Sequence, residues 1–216
     1  MPRIGVLLSG CGNIDGGEIH ESTLTLLFLA QAGADAFIFA PDVPFKVVNY
    51  LTKKPTGETR SVLLEAARIA RGNITDIKTV RADDMDALII PGGSGLPHNL
   101  CDFATKGPKA TVNPDAARLI TDIHASGKPQ GAICIAPVLP ALVLGAHKPK
   151  LTIGNDMGVA KALEACGAVH EARAVDEICV DEKNKIVTTP AYMLGPGISD
   201  IAKGIEKLVK QILAMA

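Results

Sequence analysis

Short β-branched apolar runs alternate with longer segments of helical period along the chain, and this alternation restricts the fold to helices layered on a mainly parallel sheet. Arg3 to Leu8 reads as the first strand and leads into the Gly-rich loop Ser9-Gly10-Cys11-Gly12. From about Glu18 to Ala32 the chain places Leu24, Leu27 and Phe28 at helical spacing and stops at Gly33, which predicts a first crossover helix. Asp35 to Ala40 is a second strand, Val62 to Arg71 a helix, and Ala87 to Ile90 an apolar strand that ends in Pro91-Gly92-Gly93. Asn113-Pro114-Asp115 offers a cap for a helix to about Ser126, closed by Gly127. Gln130 to Cys134 reads as the next buried strand, Leu151 to Ile153 as a short strand and Val159 to Ala165 as a helix. The runs Glu177 to Val180 and Lys185 to Thr189 flank a polar turn as a hairpin does, and Ile198 to Met215 is a final amphipathic helix. No repeat or linker divides residues 1–216, so one domain is expected, with Asp42 to Lys78 as a lobe beside the sheet.

Charge and aromatic content narrow the partners. Twenty-two basic against 23 acidic residues leave a net charge of -1, with no field to attract nucleic acid or an anionic membrane. Aromatics are 3% and Trp is absent, which argues against base-stacking platforms. The most apolar stretch, Ala132 to Gly145, contains Pro137 and Pro140 and falls short of the roughly 20 residues that span a bilayer. Met1-Pro2-Arg3 runs straight into a strand, so no targeting segment is expected. The five cysteines, at 11, 101, 134, 166 and 179, form no CxxC pair and fit neither a disulfide framework nor a zinc ribbon, which predicts a reducing cytoplasm. No cofactor and no metal are expected.

Chemistry concentrates at Gly131-Ala132-Ile133-Cys134-Ile135-Ala136-Pro137, a strand that ends at a cysteine and turns at once toward a helix. Such an elbow holds a nucleophile at the carboxyl end of the sheet, where open α/β sheets place ligands, and a helix N-terminus beside the sulfur stabilises a thiolate. A small buried core cysteine accounts for the same residues, and both readings stay open at this level. The glycine turn Gly92-Gly93 lets backbone N–H groups approach a substrate and, with the N–H of Ile135, suits an oxyanion hole. An ordinary strand-ending turn explains those glycines equally well.

Together these segments resemble the ThiJ/PfpI superfamily, related to class I glutamine amidotransferase domains, and within it the ElbB-like branch. The motifs that carry the resemblance are Leu8 to Gly12, Asp15 to Glu21, Glu65 to Gly72, Pro91-Gly92-Gly93 with Asn99-Leu100, and Gly131 to Pro137. The resemblance implies a flavodoxin-like three-layer sandwich with a mainly parallel sheet and a peripheral hairpin. It implies that Cys134 is the nucleophile and Glu21 its acidic partner, with Glu18 as runner-up and His20 as a neighbour able to reach the site. Glu18 and Glu21 are three residues from each other on one helix face, so one carboxyl can hold a proton while the other stays ionised; a first-turn acidic pair favoured by the helix dipole is the alternative.

The departures from the superfamily bear on the reaction. Proteases of the superfamily carry His directly after the cysteine, but here Ile135 follows, and Leu151 to Asp156 supplies no histidine either. Proteolysis and amide hydrolysis are therefore not expected. The ElbB-like branch implies a glutathione-independent glyoxalase: Cys134 adds to glyoxal or a similar small dicarbonyl, Glu21 moves protons, and a hydroxy acid leaves. Action on glycated amines is another description of the same carbonyl chemistry. A link of the branch by name to isoprenoid biosynthesis finds no Asp-rich magnesium motif or P-loop. The rival reading is a redox or electrophile sensor, or a holdase, with Cys11 as resolving thiol. The resemblance further implies a homodimer that walls off a shallow site.

Overall fold

The structure is a computed structural model that describes residues Met1–Ala216. Its centre is a seven-stranded sheet in the order β10-β11-β7-β6-β1-β2-β5. The strands are β1 (Arg3–Leu7), β2 (Asp35–Ala40), β5 (Thr75–Asp76), β6 (Ala87–Ile90), β7 (Gln130–Ile133), β10 (Cys179–Asp181) and β11 (Ile186–Thr189). All neighbours pair parallel except β10, which runs antiparallel to β11 at the edge. The expected hairpin over 177–189 therefore exists, but its second strand is an integral member of the sheet. The hairpin that stands apart is β3 (Pro44–Asn49) with β4 (Lys54–Ser61), and the expected 42–78 lobe shrinks to it, because Val62 and Ala66 pack into the sheet's core and Thr75–Asp76 is a strand of the central sheet. The short strands β8 (Lys150–Leu151) and β9 (Val169–His170) form a separate pair.

Period-two side chains on the central strands divide the core into two layers. Leu88, Ile90 and Ala132 face one side, with Leu119, Ile120 and Ile123 of α5 (Pro114–Ala125) and the buried faces of α6 (Val138–Leu144) and α7 (Met157–Ala165). Ala87, Ile89 and Ile133 face the other, against α1 (Ile19–Gln31), α2 (Val62–Ile69) and α8 (Ile198–Met215). In α8 the buried Ile201, Ile205, Leu208, Val209 and Ile212 recur at helical period, each stabilising by about 1.5–3 kcal/mol relative to exposure. The small helices α3 (Leu96–Asn99) and α4 (Phe103–Lys106) follow the glycine turn after β6. No helix is long and apolar enough to cross a membrane.

Helix α1 departs from its expected stripe. Leu27 is exposed and Leu24 and Phe28 are half-buried, whereas Glu21, Ser22, Thr25 and Leu29 form the buried face. The hydroxyls of Ser22 and Thr25 donate to the carbonyls of Glu18 and Glu21 at 2.7 and 2.8 Å, so these polar groups are satisfied within the helix. Their small size leaves room for a buried carboxylate on the same face. Glu18 is the N-cap rather than a helical residue: its carboxylate accepts from the Glu21 N–H at 2.7 Å.

Candidate active site

Four adjacent strands, β11, β7, β6 and β1, present their carboxyl ends at one edge, and β1 and β6 flank the point where the strand order reverses. The chain leaves β7 at Ile133, and Cys134 takes a left-handed φ of 62° that costs a β-carbon residue about 1–3 kcal/mol. Its N–H donates to the Thr189 carbonyl at 2.9 Å, which pins the elbow to the end of β11. A turn through Pro137 intervenes before α6, so the helix does not begin at the sulfur as the sequence reading expects.

Glu21 is completely buried beside this elbow. Its Oε2 accepts from the Gly92 N–H at 2.9 Å and its Oε1 from the Tyr192 N–H at 3.3 Å, and its side chain hydrogen-bonds with the Cys134 thiol. Burial, and then the Glu18 charge, push its carboxyl from 4.5 up to about 7, against the pull of those three hydrogen bonds. The thiol is also pushed up, by burial first and by the Glu21 charge second, while N–H groups of Gly93 and Ile135 donate toward the sulfur and pull it down. The thiolate favoured by position alone is thus outweighed by burial. What the site holds is a carboxyl and a thiol in contact, and when Glu21 carries a proton its charge no longer opposes ionisation of the sulfur.

Gly92 is a glycine because nothing else fits: a Cβ there would meet the Cys134 Cβ at 2.6 Å, the Ile133 carbonyl at 2.7 Å and Glu21 Oε2 at 2.9 Å. Its N–H is taken by Glu21 and its carbonyl accepts from the Glu18 N–H at 2.9 Å, so Gly92 clamps the carboxyl rather than contributing to an oxyanion hole. Of the three backbone groups expected to hold an oxyanion, Gly93 and Ile135 are the pair that face the sulfur.

A cavity of about 350 Å³ opens beside Cys134 and Ile135, lined further by Asn13, Ser94, Phe103, Tyr192 and Met193. Asn13 is held by an interlock of loops: its Oδ1 accepts from the Ser94 N–H at 3.1 Å and its carbonyl from the Gly95 N–H at 2.7 Å. Asp15 then ties this loop to the β3–β4 hairpin, accepting from the Val48 N–H at 2.8 Å and the Tyr50 hydroxyl at 2.9 Å. His20 is exposed and meets Tyr192, its Nδ1 lying 2.7 Å from the phenol oxygen. It reaches the site only through Tyr192, and no imidazole lines the cavity. Cys11 sits near Glu65, Arg68 and Asp15 and is not part of the cavity wall. Tyr192 and Asn13 were not singled out from sequence; the position of Tyr192, just past the end of a parallel strand, is the signal that points to it.

No family model matches the chain. Among curated proteins, it is 43% identical over 224 residues to the human glutamine amidotransferase-like class 1 domain-containing protein 3, mitochondrial, covering 99% of this chain and 83% of that protein. It is 42% identical to the rat ES1 protein homolog, mitochondrial, over 99% of this chain and 84% of that protein. A crystal structure of an isoprenoid biosynthesis protein with amidotransferase-like domain from Ehrlichia chaffeensis superposes with a TM-score of 0.93 at 30% identity, covering 100% of this chain and 99% of that one. A ThiJ/PfpI domain protein from Brachyspira murdochii shares the fold at a TM-score of 0.62 and 13% identity, over 99% and 98% of the two chains. These names correct one expectation: the curated relatives are called mitochondrial, which overturns the cytoplasmic location inferred from cysteine usage. Five free cysteines argue against a disulfide framework but do not tell one reducing compartment from another.

Proposed function

Since the chain belongs to the glutamine amidotransferase-like class 1 family that includes the ES1 proteins, we propose that it is a cofactor-independent enzyme of the glyoxalase type, akin to the ElbB-like branch, acting on glyoxal or a similar small dicarbonyl. The observation that carries this reading is the buried Glu21 carboxyl, poised at about 7, in hydrogen-bond contact with the Cys134 thiol while two backbone N–H groups face the same sulfur. A proton-moving carboxyl near neutral pH suits both donation and abstraction. The absence of an imidazole from the cavity removes the base that amide hydrolysis by a Cys-His pair needs.

The sequence of events follows from the contacts. The Cys134 S–H proton passes to the Glu21 carboxylate as the sulfur adds to one aldehyde carbon, the carbonyl π pair moves to its oxygen, and Glu21 delivers that proton to the oxygen. The Gly93 and Ile135 N–H groups stabilise the alkoxide as it forms. Glu21, now a carboxylate, takes the C–H proton from the hemithioacetal carbon and returns it to the neighbouring carbon. The product of this internal shift is a glycolyl thioester on Cys134. Water cleaves the thioester, releasing glycolate and restoring the thiol, with no external oxidant or reductant.

The cavity of about 350 Å³ suits a small dicarbonyl and lies at the small end of ordinary ligand sites. A sensor that closes a disulfide needs a resolving thiol beside Cys134, whereas Cys11 is not part of the cavity wall that Cys134 lines. Excess ¹³C-glyoxal followed by NMR tests the proposal. Wild type is expected to form many equivalents of glycolate per chain and Cys134→Ala none; consumption that stops at one equivalent per chain would favour the sensor.

A further inference from the structure

Tyr192 is the one phenol at the cavity, since the chain has two tyrosines and Tyr50 is spent holding the Asn13–Asp15 loop. Its main chain is bonded to Glu21, and its hydroxyl is bonded to His20. It follows Ala191, a non-glycine residue in the left-handed region at φ 42°, so the turn after β11 keeps an unfavourable backbone to deliver Tyr192 at this place. Burial and the charges of Glu18 and Glu21 raise the phenol, which stays protonated at neutral pH.

We propose that Tyr192 is a catalytic acid that recognises the second carbonyl oxygen of a 1,2-dicarbonyl, and that His20 is a positioning residue holding the phenol in place. The inference rests on the glyoxalase-type reading and adds the group that reading lacks. When Glu21 removes the C–H proton, the C–H pair forms the carbon–carbon double bond and the second carbonyl's π pair moves to its oxygen, which needs a proton. In the tautomer that carries its hydrogen on Nδ1, His20 donates to the phenol oxygen and the Tyr192 O–H is free to supply that proton. The phenolate regains a proton from the first carbon's hydroxyl as the thioester forms, so protons balance over the shift. A substrate with one carbonyl offers Tyr192 nothing to protonate and stops at the hemithioacetal.

The test compares wild type, Tyr192→Phe, His20→Ala and His20→Asn by steady-state glycolate formation from glyoxal and by iodoacetamide alkylation of Cys134. Tyr192→Phe is expected to lower kcat by about 10²-fold, the usual scale for a proton-transfer group, with the alkylation rate unchanged. His20→Ala is expected to lower kcat as well, and His20→Asn to restore it, because the amide N–H takes the place of Nδ1–H. Wild-type kcat in Tyr192→Phe, or a loss of alkylation parallel to the loss of turnover, would overturn the role of Tyr192. Failure of His20→Asn to rescue would overturn that of His20. Absence of glycolate from wild type itself would instead remove the glyoxalase-type reading, and this inference with it.

Discussion

Replacing Glu21 by Gln keeps the shape of the side chain and removes its titration, which isolates what burying this carboxyl costs. In the folded chain the group is raised from 4.5 to about 7 by burial and by Glu18. Below 4.5 it is protonated in both the folded and the unfolded chain and contributes no pH dependence. Between 4.5 and about 7 the unfolded chain releases the proton while the folded chain keeps it, so wild-type stability falls as pH rises through this window and levels off above it. At about 1.4 kcal/mol per pK unit, the full loss is about 3 kcal/mol, most of it between about pH 5 and pH 8. The variant lacks this loss. Urea midpoints of both proteins across that range cancel every other titrating group in the difference. The expected result is that the variant gains about 3 kcal/mol relative to wild type from the acid to the alkaline end. A difference that stays flat with pH, or one that moves the other way, would refute the account of Glu21 as a buried carboxyl carrying its proton near neutrality.

Three further outcomes follow from the same contacts. Glu21→Gln should speed alkylation of Cys134 at about pH 8, because the charge that raises the thiol is gone, while lowering glycolate formation by about 10²-fold; Glu18→Gln, whose amide oxygen still caps α1, should do less to turnover. Gly92→Ala should destabilise by about 1–3 kcal/mol or more in urea titration and abolish turnover, because its Cβ collides with the Cys134 Cβ and a main-chain carbonyl that have no room to yield. The homodimer that the resemblance implies should show twice the mass of one chain by light scattering at micromolar concentration. A monomer with full activity would show that one chain completes the site.

The central layers were legible because buried strands and amphipathic helices impose periods of two and 3.6 that few other constraints disturb. Ala87–Ile90 and Ile198–Met215 fall where the sequence places them. The elbow is legible because a buried strand that gives way to Cys134 and Pro137 has few ways to continue, whereas its end at Ile133 and the turn before Val138 are not. Helix α1 lies where the sequence places it, but its stripe differs: Leu27 is exposed, Leu24 and Phe28 only half-buried, and the buried face combines Leu29 with Glu21, Ser22 and Thr25, polar residues that an apolar periodicity cannot find. The raised thiol depends on burial by residues distant in sequence, among them Gly92 and the Thr189 end of β11, and no local motif reports that. Tyr192 escapes the sequence for the same reason: its place at the cavity comes from where β11 ends beside β7, a register set by the whole sheet.

If Cys134 carries a glycolyl thioester during turnover, acid-quenched protein analysed by peptide mass spectrometry will hold it. The expected result is an adduct with the mass of one glyoxal on the Cys134 peptide, released by hydroxylamine as glycolyl hydroxamate and absent from Cys134→Ala. Glycolate formed with no adduct at Cys134, or an adduct there that hydroxylamine does not release as the hydroxamate, would contradict it.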